Sequence, residues 1–514
     1  MSKTIIIIGA GLAGLSAALQ VAENGCNVKL VSSLPSERAQ SVMAEGGINA
    51  ALNTKDENDS PEEHFTDTIK AACGLADPNA VWGMTQAAPE LVHWLLKLGV
   101  KFNMSGYDDV DLRNFGGQKK KRTAFAQSDT GKQIMTAMID AVRRKEASGM
   151  VERFSHHSFL TLRLCGNICC GCVIRDEYSQ ETVELPGDAV IVATGGMHGL
   201  FGNTTGSLSN TGEVTAELFR LGVPLANGEM IQYHPTTVKC GGKRMLISEA
   251  ARGEGGRLFA MKDGKQWYFM EEKYPELGNL MPRDITAREI WKVSHESEVF
   301  LDMTEISEEI ISNKLSGLAD DCMTYLHKDI RKEPVSVLPG IHYFMGGILV
   351  DEQHRTPIQN LYAAGECCAQ YHGANRLGGN SLLGALYGGR VAAKSACEQA
   401  DVVDLSCATQ IDFPPASQIS EIKQLNKVMQ ETMGVVRNEN TLLNGIKTVQ
   451  ALTGNLPLLG MAVLKSALAR KESRGAHWRE DYPKSNDDDY LKTTVARFDG
   501  KQIQISFVPV PERR

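Results

Sequence analysis

The first fourteen residues constrain this chain more than any other stretch. Ile5-Ile6-Ile7-Ile8 is a β-branched run without polar interruption, the pattern of a strand buried on both faces. It runs directly into Gly9-Ala10-Gly11-Leu12-Ala13-Gly14. Leu12 to Glu23 is rich in Ala and Leu and stops at Asn24-Gly25, a helix C-terminal cap; Asn27 to Val31 reads as a second strand. Strand, glycine turn, helix and strand form a βαβ unit, which implies a parallel, doubly wound sheet. The G-x-G-x-x-G spacing permits a tight turn and brings backbone N–H groups against a pyrophosphate at a helix N-terminus. Gly9, Gly11, Ala13 and Gly14 are therefore the expected contacts of a dinucleotide. The second strand ends Leu30-Val31-Ser32-Ser33, without the acidic residue that usually grips a ribose. Ser32 or Ser33 must supply that contact, and the identity of the nucleotide stays open at this point.

Other segments narrow it. Ser41-Val42-Met43-Ala44-Glu45-Gly46-Gly47 offers small residues where a flat ring system can press against backbone. Two more buried strands, Ala189 to Ala193 and Leu361 to Ala364, end at Thr194-Gly195-Gly196 and Gly365-Glu366. A helix begins near Asn380-Ser381-Leu382-Leu383, and its N-terminal dipole suits negative charge on a reduced flavin. Together these favour an extended FAD. Its expected contacts are Ser32, Ser33, Gln40, Ser41, Ala44, Glu45, Gly46, Gly47, Ala193, Thr194, Gly195, Gly365, Glu366, Arg376 and the start of that helix, Asn380 to Leu383.

At 514 residues the chain exceeds one ordinary domain. The expected fold is α/β. A Rossmann-like FAD-binding domain (1–235 and 343–400) carries an inserted α+β capping domain (236–342). A C-terminal helical domain (410–472) and a polar tail (473–514) follow. The helical domain should hold Ile419 to Met433, Thr441 to Leu452 and Pro457 to Arg470, with Pro457 at the first helical position. A net charge of −8 argues against a nucleic-acid partner, because no basic excess exists to release counterions. No run of about 18 apolar residues suggests a spanning helix, and the N-terminal strand leaves no room for a signal peptide. Of 12 cysteines, Cys165, Cys169, Cys170 and Cys172 flank the turn Gly166-Asn167, as hairpin side chains rather than a metal site. Twelve free thiols would fit a reducing cytoplasm.

The middle of the chain and its borders carry His234-Pro235-Thr236, Ser248-Glu249-Ala250-Ala251-Arg252-Gly253-Glu254-Gly255-Gly256 and Pro282-Arg283-Asp284. His342-Tyr343-Phe344-Met345-Gly346-Gly347 and His372-Gly373-Ala374-Asn375-Arg376 follow. In these motifs, and on to Ser473-Arg474-Gly475-Ala476-His477-Trp478-Arg479, the chain resembles the flavoprotein subunit of the succinate dehydrogenase and fumarate reductase family. Asn53-Thr54-Lys55, Asp59-Ser60-Pro61 and Trp267-Tyr268-Phe269 are most similar to its quinone-linked bacterial type. The resemblance implies that fumarate, or succinate in reverse, is the substrate. Arg376 and His342 would bind carboxylates, with His234 and Ser248 completing the clamp and Phe115 packing nearby. Arg283 would be the proton donor, fed by Glu249 and Arg252. The resemblance also implies an iron–sulfur subunit and a membrane anchor as partners, since this chain has no cysteine array or haem motif of its own.

Departures from the family pattern carry expectations too. Gln40 stands where membrane-bound members usually have the histidine that bonds the flavin, so FAD should be held without a covalent link. Glu45 stands where glutamine is typical and should add negative charge near the ring. Both push toward fumarate reduction. Thr211-Gly212-Glu213 replaces the usual Thr-Gly-Asp. L-aspartate oxidase, with the same fold and non-covalent FAD, is the rival enzyme, though Met345 and Phe115-Gly116-Gly117-Gln118 resemble the fumarate branch. A catalytically silent electron-transfer partner is the third reading. His156 and His157 fall outside every motif and read as surface residues. Arg288, Glu254 and Arg390 read as structural ions.

Overall fold

The computed structural model describes residues 2–107, 109–401, 411, 413 and 418–514. Residue 410, the expected start of the helical domain, and Cys407 lie outside the described residues.

The βαβ unit forms as its sequence dictates: strand Thr4–Ile8, helix Leu12–Glu23, strand Asn27–Ser32. Ile5, Ile6 and Ile7 are fully buried because helices or sheet cover both faces of a parallel strand. The sheet has the order Leu361–Ala363, Ala189–Val192, Thr4–Ile8, Asn27–Ser32, Val151–Ser155, all parallel. Every strand therefore ends at the same edge, which is where such sheets bind ligands. The glycines of the first turn are dictated by close approach. Gly9 has φ 110°, and a Cβ there would sit 2.2 Å from the Ala193 carbonyl oxygen. A Cβ on Gly14 would lie 1.9 Å from the Gly9 carbonyl oxygen. Helix Asn380–Gln399 packs on Leu12–Glu23, burying Leu382, Leu383 and Leu386 in one core with Leu15 and Leu19.

The capping part is built on a four-stranded antiparallel sheet, Lys265–Trp267, Arg257–Lys262, Val299–Asp302 and Val335–Ser336. Its core joins Leu258 and Leu301 to Ile290 of helix Arg283–Val293. A three-stranded sheet, Lys243–Leu246, Ile231–Cys240 and Leu338–Phe344, connects cap to FAD-binding part. Strand Ile231–Cys240 runs straight across residue 236. Behind it, helices Ile419–Thr432, Glu439–Val449 and Asn455–Ala469 share a core with Ile231 and Phe344. The last helix starts two residues before Pro457, which is therefore third in it and not first. It stays in the turn whose N–H groups need no helical acceptor.

The polar C-terminal stretch is woven into the body of the protein. Strands Lys492–Phe498 and Ile503–Pro509 extend a sheet through Leu225–Ala226 and Gly347–Leu349. Fully buried Arg470 pairs with Glu229 and Glu472, each at 2.7 Å. Strands His157–Cys165 and Ile168–Asp176 form the expected hairpin, with Cys169 and Cys172 in its core. Cys165 is disulfide-bonded, which overturns the expectation that every thiol is free and removes that support for a reducing compartment. Among the described residues no helix is long and apolar enough to cross a membrane.

Candidate active site

One cleft of about 890 Å³ opens at the shared strand edge and reaches the cap. Gly9, Gly11 and Ala13 line it, as do Ser32, Ser33, Gln40, Ser41, Ala44, Glu45, Gly46 and Gly47. Ala193, Thr194, Gly195, Gly365, Glu366, Ser381 and Leu382 line it as well. Three expected contacts do not. Gly14 is turned into the packing against Gly9, and Leu383 lies in the core. The Asn380 side chain points away, accepting from Asn49 Nδ2 at 2.7 Å and donating to Thr68 Oγ1 at 3.0 Å. His156 and His157, read as surface residues, line the far end of the cleft with Glu177 and Tyr178. They follow the edge strand Val151–Ser155, and only the sheet order shows that this strand lies beside Ser32. Glu213 of the unusual Thr211-Gly212-Glu213 lines that end too.

A long dinucleotide fits this lining. Among the described residues, buried polar atoms without a hydrogen-bond partner include Ser32 Oγ, Glu45 Oε2 and Arg376 Nε, all on cleft residues. A Cβ at Gly9 or Gly47 would drive into the Ala193 or Ala124 carbonyl, so glycine there lets the turn and the Gly46-Gly47 loop pack tightly against the neighbouring strands that line the cleft.

Seven of the eight expected catalytic residues face the same cleft: Phe115, His234, Ser248, Glu249, Arg283, His342 and Arg376. Arg252, the eighth, lies buried behind Glu249. Glu249 and Arg252 occupy one short helix, Glu249–Gly253, and pair across its turn at 3.2 Å. Ser248 caps that helix, its Oγ accepting from the Ala250 N–H at 3.4 Å, which leaves the hydroxyl proton free to donate. Arg283 opens helix Arg283–Val293. Its Nε and Nη2 donate to Glu249 Oε2 at 2.8 and 2.5 Å, and its Nη1 donates to Gln232 Oε1 at 3.0 Å. The Gly116 N–H donates to Glu249 Oε1 at 3.1 Å. Burial pushes the Glu249 carboxyl up, but Arg283 and Arg252 outweigh it and hold the group below the usual carboxylate range.

The two histidines sit on neighbouring strands, ring centroids 5.1 Å apart. Pairing slips by one residue at His342 on one strand and just after His234 on the other. Such bulges re-aim side chains and recur beside active sites. His342 Nδ1 meets Thr205 Oγ1 at 2.8 Å. Burial and the Arg283 charge push both imidazoles well below their ordinary range, so both are neutral at pH 7. Arg376 stacks over Tyr343 at 4.4 Å. Burial, then the neighbouring Arg283, pulls its guanidinium down to about 9. Two buried cations side by side favour an anion between them.

Several participants escaped the sequence reading. Gln232 ties Arg283 to the loop of Arg376, its Nε2 donating to Asn375 Oδ1 at 3.0 Å and the Arg376 carbonyl at 2.8 Å. Nothing in its local sequence marks Thr205, and Tyr343, though within the His342 motif, carried no expected role. Gly116 had a signal, since a glycine pair beside an aromatic suggests close approach. Glu45 corrects the charge argument. Burial, with Asp321 next, raises its carboxyl to about 8, so at neutral pH it is mostly protonated and adds little negative charge. Of the three charges read as structural, Glu254 pairs with Lys314 at 3.2 Å and Arg390 with Glu23 at 3.3 Å. Arg288 stacks over Trp478 at 4.0 Å.

Residues 4–382 match the family of FAD binding domains, and residues 452–513 the fumarate reductase flavoprotein C-terminus. The succinate dehydrogenase flavoprotein subunit of Bacillus subtilis is 38% identical, over 100% of this chain and 98% of that one. The chain belongs to the succinate dehydrogenase and fumarate reductase flavoprotein family. It is thus an FAD-dependent oxidoreductase of that family. The 8-methylmenaquinol:fumarate reductase flavoprotein subunit of Wolinella succinogenes is 32% identical over 100% of this chain and 92% of its own length. A quinol fumarate reductase chain of E. coli superposes with TM-score 0.89 and 27% identity, covering 99% of this chain and 97% of that one. Family membership accounts for the two-part match: all the cleft lining but Ala385 lies within the first segment, and the second packs behind the histidine strands.

Proposed function

We propose that the chain reduces fumarate to succinate, and that its residues divide the work between holding two carboxylates and delivering one proton. Arg376 grips one carboxylate through its planar fork. His342, His234 and the Ser248 hydroxyl take the other, and Phe115 closes the wall against Gly46. Ser32, Gln40 to Gly47 and the strand ends would hold FAD, which when bound would supply hydride chemistry to one alkene carbon. Arg283 gives a proton to the other. A guanidinium is a poor acid in water, so this role needs a dry site and immediate reprotonation. Glu249 and Arg252 meet that need as a chain leading away from the cleft.

The observation that carries this reading is the Arg283–Glu249–Arg252 chain itself. Three charges are buried in contact, and Glu249 accepts from Gly116, Arg252 and Arg283 at once. Burying ions in this way is costly and contributes little net stability. Such an arrangement is better explained by proton transfer than by folding. Gln40, with no nucleophilic nitrogen to bond a flavin, supports non-covalent FAD. The relatives' description as flavoprotein subunits supports electron delivery by a separate iron–sulfur subunit, with any membrane attachment through further subunits.

The test is a pair of assays on the purified protein. Reduced viologen should be reoxidised with fumarate, and aspartate with oxygen should give no turnover. Aspartate oxidation without fumarate reduction would reassign the chain to the L-aspartate oxidase reading. Neither activity, with FAD bound, would make it a silent partner.

A further inference from the structure

The cleft contains a guanidinium that neither the clamp nor the proton chain employs. Arg244 lies on strand Lys243–Leu246, half-buried, and lines the same cleft. One edge of its fork is committed. Nε donates to Thr237 Oγ1 at 2.5 Å, and Nη2 to the Thr237 and Leu338 carbonyls at 3.4 and 3.2 Å. Among the described residues no hydrogen bond engages Nη1, and no carboxylate lies within 4.0 Å of the group. Its path is built into the backbone. It lies over Gly340, where a Cβ would be 2.5 Å from its Nε, so only glycine admits it. Gly340 is two residues before His342 on the same strand. The Arg244 backbone N–H donates to the Thr204 carbonyl, and adjacent Thr205 holds His342. With Nε and Nη2 held, the Nη1 edge is left as a charged, partly desolvated group next to the wall that carries His342. Desolvation pulls this guanidinium below its ordinary range, the sign of a cation stripped of water without a compensating anion.

The chain carries a net charge of −8, so a dianion approaches against the general field. We propose that Arg244 is an anion-capture subsite on the cleft wall beside the His342 strand, which takes one carboxylate of an incoming dicarboxylate before His342 and Arg376 do. This rests on the dicarboxylate reading above. Arg244 touches no reacting atom; it acts on arrival and on affinity.

The experiment compares the FAD-loaded parent with Arg244→Gln and Arg244→Lys. Fumarate turnover is followed as kcat and kcat/KM at low and high salt, and malonate affinity by its perturbation of flavin absorbance. Arg244→Gln should lower kcat/KM about tenfold at low salt, leave kcat within about twofold, and flatten the salt dependence, as loss of a steering charge does. Arg244→Lys, which keeps the charge but not the fork, should recover most of the loss. A merely structural arginine would be rescued no better by lysine than by glutamine, and that result overturns the proposal. So does malonate affinity equal in all three proteins. A parent that binds malonate through Arg244 yet reduces no fumarate sinks the reductase reading while keeping the subsite.

Discussion

Glu45 offers the sharpest quantitative check, because its protonation state is set by tertiary contacts alone. In the folded protein burial, then the charge of Asp321, raises its carboxyl to about 8, against Arg113, which lowers it. An unfolded glutamate titrates near 4.3. The folded state therefore binds more protons than the unfolded state between those values, and stability falls as pH rises. The stabilising contribution is fully present below about 4.3 and is lost as pH passes through about 8. Linkage over the window from pH 6 to pH 8 amounts to about 2 kcal/mol. Glu45→Gln replaces the protonated carboxyl with a neutral group of the same shape and removes this titration. Parent and variant should melt at similar temperatures at pH 6. At pH 8 the parent should fall behind by about 4–8 °C if the cooperative unit spans 150–250 residues. Asp321 and Asp129 face the same carboxyl and are kept in both proteins, so Glu45 is the only group the comparison removes. A difference in melting temperature that stays constant from pH 6 to pH 8 would refute the argument and restore a charged Glu45.

Three further outcomes are expected. Acid precipitation should leave all the flavin in the supernatant, since Gln40 cannot bond it; colour in the pellet would mean a covalent link elsewhere. Arg376→Ala should weaken fumarate binding by about 2–5 kcal/mol, the cost of losing one side of a buried charge pair, with FAD content near normal. Unchanged affinity would move the clamp to another residue. Arg283→Ala and Arg283→Lys should accept electrons from dithionite normally, while reoxidation by fumarate slows by about 10²–10⁴-fold, as for a lost general acid. Reoxidation of Arg283→Ala at the parent rate would remove Arg283 as proton donor.

Much of the fold was legible before any coordinate. Four isoleucines, a G-x-G-x-x-G turn and an Asn-Gly cap specify a βαβ unit because each acts over a few residues, through burial pattern, φ and helix capping. Glu249 and Arg252 were legible as a pair for the same reason, since three residues is one helical turn. The sequence also placed Arg283 and Arg376 among the carriers of chemistry, but only through resemblance to a family. Arrangement across distance was decided by tertiary structure. The Gly116 N–H reaches Glu249 across 133 positions, and Gln232 links Arg283 to the Arg376 loop across 51 and 144. Asn380, well placed in sequence, turned its amide to Asn49 and Thr68 instead of the cleft. His156 and His157 became cleft residues because the strand just before them, Val151–Ser155, pairs beside Ser32. Glu45 shows the limit most plainly. A residue type states which proton can be held, but burial and the field of Asp321, 276 positions away, decide whether it is held at pH 7. Local conformation is a property of neighbouring residues and can be read from their order, whereas desolvation and electrostatic fields are sums over everything the fold brings near.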